Sequence, residues 1–265
     1  MATKSSRAGT AVVVPFRSTG DAQAPQLSLL PLQIDAEFEP RFVTADLKKV
    51  VRARDGHFYA VKSQAVHPLL PASEYLCYQL ASACQIAVPF SAVLTDSAGS
   101  YFFGSRFEGA ATELTAQGPT RGLEMFKQAA KEVSAALAFD LFVGNEDRHR
   151  NNFIFRKNYQ DQWAPLAIDY SRALLVRDFP NDLFPVPESS NTRSTIKVMK
   201  ASGLWQGPFA IFSLNTLQSV SADHVLHWCN EMPEQWLPQE RRQVLLNWWD
   251  SPAFTERLNA IYDLL

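Results

Sequence analysis

Short apolar runs separated by turn residues characterise the first part of the chain. Residues 49–54 and 57–62 are rich in β-forming side chains and flank the pair Asp55-Gly56. An Asp-Gly pair between two such runs is a strong hairpin signal, because glycine tolerates positive φ. Further strands are predicted over residues 42–44, 88–94 and 101–107.

Helical spacing of apolar residues appears in two places. Leu76, Leu80 and Cys84 recur four apart within residues 71–84, which predicts an amphipathic helix of about three turns. Residues 123–143 predict one long helix that ends at Gly144. Its apolar stripe consists of Phe126, Ala130, Val133, Leu137 and Leu141.

The end of the chain is also helical in pattern. Three or four helices are predicted in the last sixty residues, including 238–249 and 252–264, whereas the stretch from 170 to about 205 is poorly patterned. The element order therefore predicts an α+β fold with two lobes. We expect a flexible arm over residues 1–32, a β-rich N-lobe with one helix over 33–110, and a mostly helical C-lobe over 111–265.

A second hairpin is predicted from residues 153–155 and 165–168. Asn152 immediately precedes its first strand, and Asp169 immediately follows its second strand. Antiparallel pairing brings these two strand ends to within ~5 Å between Cα atoms. Because Mg²⁺ is a hard ion that takes oxygen ligands, Asn152 and Asp169 form a candidate metal site.

Asp147 lies five residues before Asn152, in a polar loop between two hydrophobic segments. This spacing places it near enough to the metal site to accept a proton from a hydroxyl group. One Asp for the nucleophile with an Asn and a second Asp for the metal is the pattern of phosphoryl transfer. The alternative is a surface loop whose Asp and Asn residues only cap turns.

Charged residues near this loop leave several alternatives open. His149 is interpreted as a scaffold residue that bonds Asp169 or a backbone carbonyl, rather than as a base or metal ligand. Arg148 and Arg150 contact phosphates or are simply solvated. Lys62 ends a strand and contacts either phosphate or solvent. Glu74 is either its ion-pair partner or a helix-capping carboxylate.

Composition narrows the class of protein. The 265 residues are 46% hydrophobic and carry a formal net charge of −2, which points to a packed core and not to a polyanionic partner. The three cysteines lack CxxC spacing and are interpreted as buried free thiols. No run of ~18 apolar residues or secretory signal is evident, so we expect a cytoplasmic protein without a membrane or nucleic-acid partner.

Four motifs give the chain a specific resemblance over about residues 40–265. They are Tyr59-Ala60-Val61-Lys62, Ser73-Glu74-Tyr75-Leu76, the run from Phe139 to Asn152 that contains Asp147-Arg148-His149, and Ile168-Asp169-Tyr170-Ser171. Together they resemble the HipA-like kinases, which include toxin-type Ser/Thr kinases. The Asp-Arg-His-x-x-Asn core alone is also similar to that of phosphoinositide kinases.

The resemblance implies ATP and Mg²⁺ as cofactors and a role for each matched residue. Asp147 would be the catalytic base, Asn152 and Asp169 the Mg²⁺ ligands, and Lys62 the anchor of the α- and β-phosphates. The adenine would lie against the segment 106–109, which contains Phe107 and Glu108. No glycine-rich loop precedes Lys62, so hydroxyl groups such as that of Thr44 are the candidate phosphate contacts.

The resemblance leaves three functions open. A HipA-like kinase would phosphorylate a protein Ser or Thr, and an antitoxin or regulatory partner would be possible. A kinase for a lipid head group or a small molecule would use the same site. A pseudokinase would bind a nucleotide or a partner without catalysis.

Overall fold

The computed structural model describes residues 31–39, 49–109, 111–180 and 186–265. The predicted arm before residue 31, the predicted strand 42–44 and Thr44 lie outside these residues. The strands are β1 Leu32–Phe38, β2 Lys49–Ala53, β3 Phe58–Lys62, β4 Ser91–Thr95, β5 Tyr101–Arg106, β6 Thr112–Glu113, β7 Phe153–Lys157 and β8 Trp163–Ala167. The helices are α1 Leu70–Ala83, α2 Pro119–Gln128, α3 Ala130–Val143, α4 Asn191–Ala201, α5 Gly207–Gln218, α6 Ala222–Glu231, α7 Gln239–Trp249 and α8 Pro252–Tyr262.

Five strands form a closed barrel in the order β1-β2-β3-β5-β4. The predicted hairpin is confirmed, because β2 pairs antiparallel with β3 and Val51 lies opposite Tyr59. Parallel pairing of β1 with β4 closes the barrel. No strand was predicted at β1, although Ile34 and Phe38 alternate there with Asp35 and Glu37. Closure matters for stability because a barrel leaves no unpaired edge.

Helix α1 packs beside the barrel, against β5 and the later helices α3, α5 and α6. The predicted helix is present, but its amphipathic character is wrong: buried residues lie on all of its faces, and even Ser73 and Glu74 are at most 1% exposed. A helix that is covered all round carries polar side chains only where they have partners. Glu74 is therefore held inside the molecule by the elements around it.

The single long helix predicted over residues 123–143 is wrong, because the chain forms α2 and α3 with a break at Ala129. Ala129 has φ −91° and ψ 9°, which depart from helical values, so α2 ends there although the apolar stripe continues. The predicted end at Gly144 is confirmed, since Gly144 is left-handed with φ 69° and follows the last residue of α3. This turn directs the chain into the loop that carries Asp147.

The poorly patterned stretch after residue 170 contains α4, which was not predicted. Ser190 caps this helix by accepting a hydrogen bond from the Arg193 backbone N–H. Only Thr192, Ile196 and Met199 of α4 are buried, so its apolar stripe is short. The four helices α5 to α8 follow, in agreement with the predicted number. Among the described residues, no helix combines the length and the apolar character needed to cross a bilayer.

A small second sheet, in the order β6-β7-β8, leads to the candidate site. Its predicted hairpin is confirmed by the antiparallel register that places Phe153 opposite Ala167. The Ile168 backbone N–H donates to the Asn152 carbonyl at 3.1 Å. Asn152 and Asp169 therefore lie at the same end of this hairpin.

Candidate active site

Arg148 is the structural centre of the loop between α3 and β7. It is 0% exposed, and its Nε lies 2.7 Å from Oδ2 of Asp140, which is also 0% exposed. A second nitrogen of the guanidinium donates to Asp140 Oδ1 at 3.1 Å. The expectation that Arg148 contacts phosphates or solvent is wrong, because α3 supplies a buried carboxylate eight residues earlier. Such bidentate pairing is a strong and geometrically specific contact.

Arg148 also ties together the two ends of the hairpin. Its Nη1 donates to the Asn152 carbonyl at 2.8 Å and to the Ile168 carbonyl. Its guanidinium lies 4.5 Å from the centre of the Tyr170 ring. Burial alone would lower the pKa of Arg148, but the Asp140 carboxylate outweighs it and raises the pKa above its ordinary value. The arginine thus stays charged and fixes where Asn152 and Asp169 lie.

Asp147 points away from this core. Its side chain is 35% exposed, and its Oδ1 accepts a hydrogen bond from Asn191 Nδ2 at 2.5 Å. Its Oδ2 lies 3.8 Å from Nε of the half-exposed Arg172. The Asn152 Nδ2 donates to the Asp147 backbone carbonyl at 2.8 Å, so the predicted base and a predicted metal ligand are in direct contact.

His149 is a scaffold residue, although its partner is not the one expected. Its Nδ1 accepts from the Asn151 backbone N–H at 3.2 Å and caps a short 3-10 helix, Arg150–Asn152. Neither Asp169 nor a carbonyl is bonded to its ring in the described part of the chain. Arg150 is exposed on the surface, which agrees with one of its two interpretations.

Lys62 of β3 contacts acidic side chains from α1 and from the segment after β8. Its ammonium lies 2.9 Å from Asp169 Oδ1 and 3.6 Å from Glu74 Oε1, and its side chain is only 8% exposed. The solvent-facing alternative for Lys62 is therefore wrong. Glu74 is its ion-pair partner rather than a helix cap, and Glu74 also accepts from the Tyr170 backbone N–H at 3.2 Å. Lys62, Glu74 and Asp169 are called the lysine cluster below.

The lysine cluster separates the pKa values of its two carboxyl groups. Burial raises the pKa of Glu74 from 4.5 to about 7, against the opposing charge of Lys62. Burial would also raise the pKa of Asp169, but Lys62 and the hydrogen bonds from Ser171 outweigh it and lower the pKa from 3.8 to about 2. Asp169 is therefore the carboxylate that remains ionised at neutral pH.

The two predicted metal ligands have chemistry that suits Mg²⁺. Asp169 is ionised, its side chain is 32% exposed, and it has φ 61°, a backbone conformation that Asp tolerates better than most residues. Asn152 uses its amide nitrogen to bind the Asp147 carbonyl, so its side-chain oxygen is the atom that would face an ion. One carboxylate and one amide oxygen match an ion that completes its shell with water and phosphate.

Phe107 and Glu108 lie directly after β5, at the barrel edge. The Phe107 side chain is half-exposed, and its backbone N–H donates to the Phe58 carbonyl at 2.8 Å. Glu108 lies between Arg106 at 3.4 Å and Arg156 at 3.5 Å. Its carboxylate therefore joins β5 to β7, and a role for either residue in nucleotide binding stays a prediction.

Residues at the start of α4 complete the site, and these were not predicted. The Thr192 hydroxyl donates to the Asn145 carbonyl and accepts from the Arg148 backbone N–H at 3.0 Å. Asn191 binds the Asp147 side chain. Ser190 followed by residues of helical spacing is the sequence signal that could have identified this helix, but nothing local indicates a contact 44 residues away.

Comparisons with known proteins support the fold and leave the family open. No protein-family model matches the chain, and no curated protein matches it either. Among solved structures, it is similar to the proinflammatory kinase CtkA of Helicobacter pylori, with a TM-score of 0.54, 10% identity, and coverage of 88% of this chain and 95% of that one. An N-terminal 618-residue fragment of LepB from Legionella pneumophila gives a TM-score of 0.52 and 15% identity over 80% of this chain and 46% of the fragment.

A weaker likeness is to HipA of Shewanella oneidensis, solved with HipB and its operator DNA. The TM-score is 0.44 and the identity 12%, over 78% of this chain and 57% of that one, which is too loose to bear on the fold. At these identities, the similarity to CtkA and LepB concerns the fold alone. The chain therefore has the mixed α+β fold of a structurally characterised kinase.

Proposed function

We propose that this chain is an ATP- and Mg²⁺-dependent phosphotransferase, a HipA-like kinase with two lobes over residues 33–110 and 111–265. The observation that carries the proposal is the lysine cluster. Lys62 from β3 is ion-paired with Glu74 from α1 and with Asp169 after β8, over a sequence distance of 107 residues. A strand lysine paired with a helix glutamate beside a metal-binding Asp is the arrangement that kinases use to hold phosphates.

Each residue has a defined task in this proposal. Asp169 and Asn152 hold Mg²⁺, which neutralises phosphate charge when it is bound. Lys62, kept in place by Glu74, contacts the α- and β-phosphates. Asp147 accepts the proton of the acceptor hydroxyl. The exposed third of the Asp147 side chain is consistent with access for a substrate.

The fold supports the same class of reaction. CtkA, whose structure is similar, is described as a kinase. The order of the barrel strands and the position of α1 beside them place Lys62 and Glu74 on neighbouring elements. Nucleotide contacts by Thr44, Phe107 and Glu108 remain part of the proposal, as do a protein Ser or Thr as substrate, an antitoxin-like partner and a cytoplasmic location, which follow from the sequence resemblance.

Transfer of labelled γ-phosphate tests the function. The full chain is incubated with γ-labelled ATP and Mg²⁺, alone and with a bacterial extract that is then separated into protein, lipid and small-molecule fractions. We expect label on protein with the wild type and a loss of ~10²–10⁴-fold in Asp147→Asn, because general-base catalysis contributes that much.

Asp161→Asn is the control, since it makes the same change at an aspartate in the exposed β7–β8 turn, where Asp161 pairs with Lys157. It should keep wild-type activity. Label confined to the lipid or small-molecule fraction would mean that the substrate is a lipid or a small molecule and not a protein. A wild type that neither transfers label nor hydrolyses ATP would reject the enzyme and leave a pseudokinase.

A further inference from the structure

The first turns of α4 contact four consecutive residues of the loop before β7. Thr192 Oγ1 and N–H donate to the carbonyls of Asn145 and Glu146, and Thr195 Oγ1 donates to the carbonyl of Arg148 at 3.1 Å. The Arg148 N–H in turn donates to Thr192. The two threonines therefore hold the loop backbone.

Asn191 differs from these threonines because it binds a side chain. Its Nδ2 lies 2.5 Å from Asp147 Oδ1, a short hydrogen bond to a carboxylate. The other carboxylate oxygen, Oδ2, has Arg172 at 3.8 Å, beyond hydrogen-bonding distance. The two oxygens of Asp147 are thus in different environments, and Asn191 creates the difference.

Resting on the proposed function, we infer that Asn191 is a positioning residue that turns the Asp147 carboxylate so that Oδ2 receives the substrate proton. In that step the acceptor O–H proton moves to Oδ2, and the acceptor oxygen forms a bond to the γ-phosphorus. The bond between that phosphorus and the bridging oxygen breaks, and its electron pair stays on ADP. A carboxylate held in one orientation lowers the barrier because its geometry is fixed before the reaction.

The threonines and Asn191 of α4 contact different atoms, so the effect of Asn191 on Asp147 can be tested without disturbing the loop backbone. Thr192 is fully buried and Thr195 bonds backbone atoms, so removing either disturbs the loop. Asn191 is exposed and occupies the first position of α4, where an Ala is tolerated after the Ser190 cap. Its replacement is therefore expected to leave the fold intact.

Steady-state kinetics of three variants provide the test. We expect Asn191→Ala to lower kcat ~10–100-fold while KM for ATP stays within about twofold, because a misplaced group can cost ~10²-fold in rate. Asn191→Gln keeps the amide donor and should recover part of the loss. Asn247→Ala, an exposed asparagine on α7, is the control and should match the wild type.

Three results would overturn the inference while the kinase activity stands. They are a kcat of Asn191→Ala within about twofold of wild type, a fall in kcat accompanied by an equal loss of ATP affinity or by a lower melting temperature, and no recovery in Asn191→Gln. Each would mean that Asn191 does not act through the orientation of Asp147.

Side-chain amide NMR tests the contact without any activity. In the ¹⁵N-labelled full chain, the Asn191 amide resonance, identified by its loss in Asn191→Asp, should move strongly in Asp147→Ala and stay in place in Asp161→Ala. If the wild type transfers no phosphate, the proposed function fails and this spectrum alone decides on the contact. An Asn191 resonance that is unchanged in Asp147→Ala would overturn it.

Discussion

Two ion clusters contact the ends of the second hairpin, and they differ in how completely they are enclosed. Arg148 and Asp140 are both 0% exposed, and the guanidinium contacts a carboxylate, two carbonyls and two aromatic rings. The lysine cluster is open at Asp169, whose side chain is 32% exposed. The closed pair fixes the shape of the loop, whereas the open cluster leaves one carboxylate, that of Asp169, partly exposed.

The largest expected loss of stability comes from breaking the closed pair, Arg148 and Asp140. Arg148→Met should lower the free energy of unfolding by ~3–5 kcal/mol, because the buried Asp140 carboxylate loses its counter-charge and keeps only the Asn145 amide as a side-chain partner. Urea denaturation followed by circular dichroism measures this. The double variant Asp140→Leu/Arg148→Met should lose less, and Arg150→Met, an exposed neighbour, less than ~0.5 kcal/mol. A loss below ~1 kcal/mol for Arg148→Met would contradict the closed character of the pair.

The open cluster should show the opposite balance between stability and activity. Lys62→Met should reduce phosphate transfer ~10²–10³-fold, the usual effect of removing one preorganised donor. Its loss of unfolding free energy should be smaller than that of Arg148→Met, because Glu74 can take up a proton and Asp169 keeps the hydrogen bonds from Ser171. Lys157→Met, which removes the partner of Asp161, is the control. Equal losses of unfolding free energy in Lys62→Met and Arg148→Met would mean that the open cluster and the closed pair do not differ in their contribution to stability.

Thr192→Val tests whether α4 stabilises the loop that contains Arg148. The substitution keeps the shape of the side chain but leaves the Arg148 backbone N–H buried without an acceptor, at a cost of ~1–3 kcal/mol. Denaturation measures the loss, and Thr216→Val on the exposed face of α5 serves as the control. An unchanged stability would mean that α4 does not support the loop.

A dependence of stability on pH is also expected. The pKa of Glu74 is higher in the folded chain, about 7, than its ordinary value of 4.5, so the folded state binds more protons between these pH values. The free energy of unfolding should therefore fall as pH rises from about 4.5 to about 7, by ~1 kcal/mol or more. Glu74→Gln should lack this slope. The same slope in both proteins would show that Glu74 is ionised throughout.

Asp169 changes the free energy of unfolding with pH in the opposite direction to Glu74, and in a lower pH range. Its pKa is lowered to about 2, so the stability that it contributes is present above pH 3.8 and is lost as pH falls through about 2. The two carboxyl groups of the lysine cluster can thus be separated by the pH range in which each acts.

The parts of the site that local patterns specify were predictable. Asp55-Gly56 indicates the β2–β3 pairing, and the strand lengths of the second hairpin indicate the pairing that puts Asn152 beside Ile168. Gly144 marks the end of α3 because only a residue that tolerates positive φ continues the chain there. Glu74 was predicted to be either the ion-pair partner of Lys62 or a helix cap, and the 3.6 Å contact selects the ion pair.

The parts that depend on distant packing were not predictable. The sequence places Arg148 in a polar loop, and only the contact with buried Asp140 on α3 makes it a core residue. The break at Ala129 interrupts a continuous apolar stripe, so no periodicity reveals it. Asn191 and Thr192 act on residues more than forty positions away, a contact that one sequence does not encode locally.

Calorimetric titration of ATP, with and without Mg²⁺, tests most directly whether the open cluster is a metal–nucleotide site. In the wild type, Mg²⁺ should strengthen ATP binding at least ~10-fold, and Asp161→Asn should behave identically. Asp169→Asn removes the ionised ligand and should abolish the Mg²⁺ effect while the chain stays folded. Mg²⁺-dependent binding of equal strength in Asp169→Asn would contradict the assignment of this site.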